Sequence, residues 1–419
     1  MSDRASASQM AVADFACRGC GRSGLEVFLS LGEMPLANRL LTAEQLDEPE
    51  PRYPLDVALC EGCGLVQLTE SVPPREMFEE YAYFSSASTT MVEHARSIAR
   101  RMVEERHLGP DDLVVELASN DGYLLQHYRD AGIPVLGIDP ARNIATVAER
   151  LGIPTLCAFF GTELAEEMRA SGRRASVLHA NNVLAHVPDI NGFVRGIARV
   201  LADDGIAVIE TPYVRDLVDR LEFDTIYHEH LFYHSVTALD GLFQRNGLAL
   251  CRVEHLPIHG GSLRLFAGRA GVVPDPSIGR FLADEEKVGL VSRAYFRGFG
   301  ERVEALCRNL RGTIEQLRRE GRRVGAYGAA AKGTILLNAA GIGAESIEYV
   351  CDRSDYKQGR FMPGVRIPIV SPERLVGDMP DDVLLLVWNF ADEVLAQQAE
   401  YRARGGRFLI PIPEPRFLL

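Results

Sequence analysis

Polarity along residues 111–139 changes in discrete steps. Two acids are followed by the apolar run Leu113-Val114-Val115-Glu116-Leu117, then by the small residues Ala118-Ser119-Asn120-Asp121-Gly122, then by an amphipathic stretch opening with Tyr123-Leu124-Leu125. An apolar run of strand length, a turn of small residues and a helical period predict strand, tight turn and helix. A second apolar run, Val135-Leu136-Gly137-Ile138, ends on Asp139. The alternation continues through 175–187, a helix around 191–201 and a strand at 205–212. Strands alternating with helices predict a parallel sheet covered on both faces. A second strand, Gly-rich turn and helix begin within 322–341, and strands follow at 347–352 and 383–390. The charged, periodic stretch 280–320 predicts one long connecting helix, and 75–107 also reads as helical.

Residues 1 to about 70 break this rhythm. They are rich in Cys, Gly and Pro, with short strand-like pieces such as Leu55–Leu59. A chain of 419 residues exceeds one ordinary core. The expected division is a small domain over 1–72, an α/β domain over 73–280 and a second α/β domain over 281–419.

Composition narrows the partners. With 47% hydrophobic and 25% charged residues the chain reads as globular, and its net charge is −13 without a Lys/Arg block. A surface tracking nucleic-acid phosphates would leave a basic footprint, so no nucleic-acid partner is expected. The opening residues lack a signal-peptide core, and no apolar run has the ~18 residues of a membrane span. A cytoplasmic protein without membrane attachment is expected; oligomeric state is not legible.

Four of the eight cysteines form two Cys-x-x-Cys pairs, Cys17/Cys20 and Cys60/Cys63. Four thiolates within reach of one tetrahedral ion suit zinc, and with all four as ligands no position stays open for catalysis. A structural Zn2+ is expected, supporting a domain too small for its own core. The others, Cys157, Cys251, Cys307 and Cys351, read as scattered small hydrophobes.

The turn after the first strand carries Glu116, Ser119, Asn120, Asp121 and Gly122 but no Gly-x-Gly-x-x-Gly. An acid-bearing turn disfavours a phosphate and suits a cofactor without one, S-adenosylmethionine. Asp139, ending the second strand, is placed to accept from both hydroxyls of a ribose.

The segment Tyr227-His228-Glu229-His230, with His234 beyond it, gathers three of the ten histidines. Metal binding, proton transfer and a solvated loop are all open. An extended backbone would set Tyr227 and Glu229 on one face and His228 and His230 on the other. A tight turn would converge Tyr227, Glu229 and His230 on one pocket.

Nine motifs, in order, resemble those of the sugar C-methyltransferases of deoxysugar pathways. They are the paired Cys-x-x-Cys, GEMPLANRLL (32–41), EYAYFSS (80–86), ELASNDGYLL (116–125), NNVLAHVPD (181–189), YHEHLFYHS (227–235), HGGSLRL (259–265), YGAAAKGTILLN (327–338) and DRSDYKQGRFMPG (352–364). One position departs: the family usually has Gly where Ala118 stands. The resemblance implies an α/β chain with a zinc-binding N-terminal domain, a Rossmann-type methyltransferase domain and a Rossmann-like C-terminal domain. It implies a nucleotide-linked ketosugar as small-molecule substrate, methylated at C-3 beside a 4-ketone, with thymidine diphosphate as carrier. His230 would be the base, Tyr227 and Glu229 would line the sugar site, and His186 would donate to the enolate oxygen. Tyr81 would be a lid residue, and Asn181 and Asn182 would join the cofactor site. His228 and His234 are expected as scaffold or rim. Lys332 with its small-residue turn, and Arg353, Lys357 and Arg360, would receive the diphosphate. The alternatives are an NAD-dependent sugar-nucleotide dehydrogenase or epimerase and a non-catalytic zinc-ribbon scaffold.

Overall fold

The computed structural model describes residues 11–13, 15–73, 77, 84–269 and 271–418. Three sheets are present among them. The first joins β1 (Ala11–Ala13), β2 (Leu25–Pro35), β3 (Arg52–Leu59) and β4 (Val66–Leu68) as antiparallel neighbours in that order. Its fifth strand is Phe232–Tyr233, contributed from far along the chain and paired antiparallel to β4.

The second sheet contains β5 (Val114–Leu117), β6 (Val135–Ile138), β7 (Thr155–Leu156), β8 (Ala175–Asn181) and β9 (Leu201–Pro212), which run parallel in the order β9-β8-β5-β6-β7. After Phe232–Tyr233 (β10) come β11 (Leu248–Leu256) and β12 (Ser262–Arg269). β12 pairs antiparallel with both β11 and β9, because the short connection between β11 and β12 turns the chain straight back. All four β5 residues are buried, as expected of a strand covered on both faces.

The third sheet comprises β13 (Val324–Tyr327), β14 (Val350–Cys351), β15 (Ile369–Val370), β16 (Asp382–Leu385), β17 (Arg407–Ile410) and β18 (Arg416–Leu418), in the order β15-β14-β13-β16-β17-β18. β18 alone runs antiparallel to its neighbour.

One helix expectation is corrected. The stretch 280–320 is not one helix but three, Pro276–Val288, Arg293–Phe296 and Phe299–Arg319. The breaks fall at Gly289 (φ 69°) and Gly298 (φ 74°), in the left-handed region that ends a helix. The intervening segment docks on the zinc-binding part: Arg293 pairs with Glu26 and with Glu61 (2.8 Å). Gly64 leaves no space against Val291, whose Cγ1 would lie 2.6 Å from a Cβ there. Among the described residues of 75–107 an α-helix spans Thr89–Arg106, with Ser88 Oγ accepting from the Met91 amide. A 3-10 turn at Ser85–Ala87 precedes it. Tyr81 lies outside the described residues.

The first domain touches both others. Leu41 and Phe361 exchange backbone bonds of 3.0 and 2.9 Å, and Thr334 Oγ1 donates to the Ala37 carbonyl at 3.0 Å. Among the described residues no helix is long and apolar enough to cross a membrane.

Candidate active site

The four sulfurs of Cys17, Cys20, Cys60 and Cys63 lie within 4.8 Å of one another, with Cys17–Cys63 and Cys20–Cys60 each at 3.6 Å. Zn–S bonds of about 2.3 Å in a tetrahedron require sulfurs roughly 3.8 Å apart, so the donor set fits zinc. Each knuckle reads Gly-Cys-Gly, and Gly21 and Gly64 take positive φ (76° and 73°) just past the second cysteine. Each also donates its amide to the carbonyl of the first cysteine, Gly21 to Cys17 and Gly64 to Cys60.

A cleft of about 2040 Å³, including its open mouth, lies at the carboxyl ends of the second and third sheets, where the three parts of the chain meet. One side is built on the second sheet, by Ala118, Asn120, Asp139, Phe159, Asn181 and Asn182. The other side carries Tyr227, His230, His259, Lys332, Lys357 and Asn389, with His186 and Asn38 also on the wall.

The turns on the first side are conformationally costly. Ala118, Asn120 and Asn182 have φ of 52°, 49° and 54°. Left-handed backbone in residues other than Gly costs of order 1–3 kcal/mol and tends to mark functional sites. Asp139 stabilises the arrangement, accepting from the amides of Asn120 (3.0 Å) and Ala141 (2.9 Å). Burial nonetheless raises its pKa, against those two hydrogen bonds. Asn120 Oδ1 in turn accepts from the Ser85 amide at 2.9 Å.

Glu116, Ser119, Asp121 and Gly122 do not line the cleft; they form the layer behind it. Glu116 is buried in β5 and pairs in register with His179. Ser119 packs over Gly137, where an added Cβ would lie 2.5 Å from its Oγ. Asp121 accepts from the amide (3.2 Å) and hydroxyl (2.5 Å) of Ser86, holding the Ser85–Ala87 turn beside the cleft. Gly122 has φ 81° and fits closely against Ile153.

The histidine segment takes the tight turn. The His230 amide bonds the Tyr227 carbonyl at 2.8 Å. His230 Nδ1 lies 2.8 Å from the Thr225 carbonyl, which can only accept, so Nδ1 carries the proton. Nε2 is then the lone-pair nitrogen, and the Tyr227 hydroxyl donates to it at 2.8 Å. The two rings lie 3.9 Å apart, and His186 stands edge-on to His230 at 4.8 Å. Burial lowers His230 well below the ordinary range, aided by His186 and Lys332, and lowers His186 and His259 to about 4. All three imidazoles are therefore neutral near pH 7.

The turn brings Tyr227 and His230 together but leaves Glu229 off the wall. Glu229 Oε1 accepts from Asn38 Nδ2 at 2.7 Å, and burial raises its carboxyl to about 7. His228 and His234 hold scaffold: His228 Nε2 faces the Tyr53 and Pro54 carbonyls, and His234 Nδ1 faces Thr211 Oγ1 at 2.8 Å.

Lys332 is half-buried, its Nζ bonded to Asn389 Oδ1 (2.9 Å) and 4.4 Å from the Trp388 ring centroid. Lys357 Nζ donates to the Ala329 carbonyl at 2.8 Å. Arg353 and Arg360 do not reach the cleft: Arg353 pairs with Glu393 (3.6 Å) and Arg360 stacks on Tyr356. Charge and loop position alone could not separate these two from the lysines.

Sequence reasoning assigned no role to Asn38, Phe159 or His259, although all line the cleft. His259 left a signal in its two following glycines. It has φ 57°, and Gly260 and Gly261 are pressed against Glu222 and Asp216.

The residues on the sheet side fit S-adenosylmethionine. They offer a carboxylate at the second strand's end and, in Asn181 Oδ1, a buried acceptor with no partner among the described residues.

Three family profiles match in order: a zinc binding domain over residues 17–78, a methyltransferase domain over 75–253 and a C-methyltransferase C-terminal domain over 257–413. C-methyltransferase NovU of Streptomyces niveus is 38% identical over 404 residues, 96% of each chain. Among solved structures, magnesium protoporphyrin IX methyltransferase (ChlM) from Synechocystis PCC 6803 with bound S-adenosylmethionine is 17% identical. It covers 43% of this chain and 79% of its own, with a TM-score of 0.33. An S-adenosylmethionine-dependent methyltransferase from Clostridium acetobutylicum is 10% identical over 43% and 92% of the two chains, with a TM-score of 0.35. Matched from its cysteine knuckles to its last parallel strand, the chain belongs to the S-adenosylmethionine-dependent C-methyltransferases that carry an N-terminal zinc-binding domain.

Proposed function

We propose that the chain methylates a nucleotide-linked 4-keto-deoxysugar at the carbon alpha to its ketone, C-3, with thymidine diphosphate as carrier. The observation carrying this reading is the fixed tautomer of His230 on the cleft wall, whose Nε2 lone pair is held by the Tyr227 hydroxyl. Removing a proton from carbon needs a neutral base within reach of it, a role that the half-buried, neutral imidazole on the cleft wall supports.

Bound S-adenosylmethionine supplies an electrophilic methyl group. Asp139 would hold its ribose hydroxyls, with Asn120, Asn181 and Asn182 around the amino-acid end. Glu116, Ser119, Asp121 and Gly122 would shape that turn from behind. His230 Nε2 takes the alpha proton while Nδ1–H stays on the Thr225 carbonyl. The electron pair of the broken C–H bond passes to the ketone oxygen, where His186 donates to the developing enolate. Tyr227 yields its bond to Nε2 as the sugar enters and holds a sugar hydroxyl. Glu229 acts through Asn38 on the shape of the turn. Lys332 and Lys357, with the amides opening the helix Ala331–Ala340, face the diphosphate, whereas Arg353 and Arg360 bear on it only from outside.

The test is incubation with a thymidine-diphosphate 4-keto-deoxysugar in deuterium oxide, following sugar and cofactor by mass spectrometry. One added methyl and S-adenosylhomocysteine are expected from the native enzyme. Deuterium uptake without methyl donor is expected too, and both should disappear in His230→Gln. Unchanged uptake in that variant would remove His230 as the base.

A further inference from the structure

One residue touches both the cysteine cluster and the strand that carries the catalytic turn. Gln67 lies in β4 with no exposed surface. Its Oε1 accepts from the Arg18 amide at 3.1 Å, which leaves Nε2 as the donor to Cys17 Sγ, also at 3.1 Å. Its backbone pairs with Phe232, two residues beyond His230. The next amide, of Leu68, donates to the Leu231 carbonyl at 2.9 Å. Arg18 closes the loop by donating from Nη1 to the Leu68 carbonyl at 2.6 Å.

The same domain grips the rest of the turn. His228 Nε2 stands 3.3 and 3.2 Å from two carbonyls of β3, and Asn38 holds Glu229 at 2.7 Å. Residues 228, 229, 231 and 232 are thus all anchored in the zinc-binding part. His230 is the member between them that faces the cleft.

We propose that the zinc-binding domain is a positioning element of the methyl-transfer site, and that Gln67 is the residue through which the cysteine cluster sets the placement of His230. The inference rests on reading His230 as the base. Its physical basis is that a displacement of about 1 Å from productive geometry costs on the order of 100-fold in rate. Partners of metal ligands typically matter by about 10–100-fold in affinity or activity.

The test compares the full-length, zinc-loaded enzyme with Gln67→Leu, which keeps the strand and roughly the volume but loses both side-chain bonds. Four quantities are read: zinc per chain, S-adenosylmethionine affinity, turnover with deuterium uptake at carbon, and the His230 ring resonance in ¹⁵N-histidine spectra without substrate. Zinc content and cofactor affinity should stay within about twofold. Turnover and deuterium uptake should fall about 10–100-fold at little-changed KM, and the His230 resonance should move. A shifted resonance is what a merely structural role in the knuckle would not produce.

Native turnover, or an unmoved His230 resonance, in a variant that keeps its zinc overturns the proposal. Should Gln67→Leu not fold, chelation of zinc from the native protein gives the same reading. The His230 resonance must then move while S-adenosylmethionine still binds, and a resonance that stays in place overturns the proposal. His230→Gln separates the two ideas. Full deuterium uptake there defeats the base assignment itself, whereas an inactive His230→Gln beside a native-like Gln67→Leu defeats only the coupling.

Discussion

Trp388, the chain's only tryptophan, donates its indole N–H to Asp224 Oδ2 at 2.7 Å while its ring lies against the ammonium of Lys332. Asp224 directly precedes Thr225, whose carbonyl holds His230, so this one side chain links the C-terminal domain to the turn that carries His230.

Trp388→Phe keeps an aromatic face for Lys332 but removes the donor to Asp224. That carboxylate is buried, and its Oδ1 has no partner among the described residues. A buried acceptor stripped of its partner costs about 1–3 kcal/mol. Chemical denaturation should show a loss in that range, and an unchanged midpoint would mean the bond contributes nothing.

Ala118 occupies a backbone conformation that suits glycine, with φ 52°. Ala118→Gly relieves the strain of a Cβ there and adds freedom to the unfolded chain; the first effect is the larger. The variant should be more stable by about 1 kcal/mol, read by urea unfolding. A less stable variant would show that the turn carries no strain.

Glu222 is buried beside Gly260, where a Cβ would approach its carboxylate to 2.4 Å. Burial pushes its pKa up to about 8 from an ordinary 4.5, with Lys332 pulling the other way. A raised acid contributes stability that is fully present below 4.5 and lost as pH rises through about 8, because the unfolded chain gives up the proton first. Glu222→Gln cannot ionise and should lack that part of the slope. Its stability relative to the native protein should therefore improve from about pH 5 to about pH 9 in denaturant titrations. A difference constant with pH would refute the shift.

Glu285, on the first connecting helix, receives four donors. These are the Tyr213 hydroxyl (2.9 Å), the amides of Val236 (2.7 Å) and Thr237 (2.8 Å), and Thr237 Oγ1 (2.5 Å). Its carboxylate caps the helix Val236–Arg245 and fastens the connector to the methyltransferase sheet. Glu285→Leu leaves those donors in an apolar site, and a loss on the order of 3 kcal/mol is expected in thermal or denaturant unfolding. A loss below roughly 1 kcal/mol would show that water replaces the carboxylate.

What the residues determined by themselves was local or spacing-bound. The strand–turn–helix units at 111–139 and 322–341 follow from apolar runs interrupted by small residues, and a strand needs no distant information to be recognised. The two Cys-x-x-Cys pairs announce a zinc site because few other uses require four thiols at that spacing. The crowding of His228, His230 and His234 marked the segment on which the site centres, although the turn and the extended form both remained open. Tertiary structure decided that choice, since contacts with β3, β4, Asn38 and the Ala185 carbonyl help to hold residues 228–232 in place. It also broke the expected long helix at Gly289 and Gly298, for the intervening piece packs on the zinc knuckle. It separated Lys332 and Lys357, on the cleft wall, from Arg353 and Arg360, which pair outside it. Asn38 and Glu229 are 191 residues apart, as are Asp224 and Trp388 by 164, and no periodicity along the chain encodes such pairs. They exist because burying three sheets against one another leaves each polar group with only the partner that the packing brings to it.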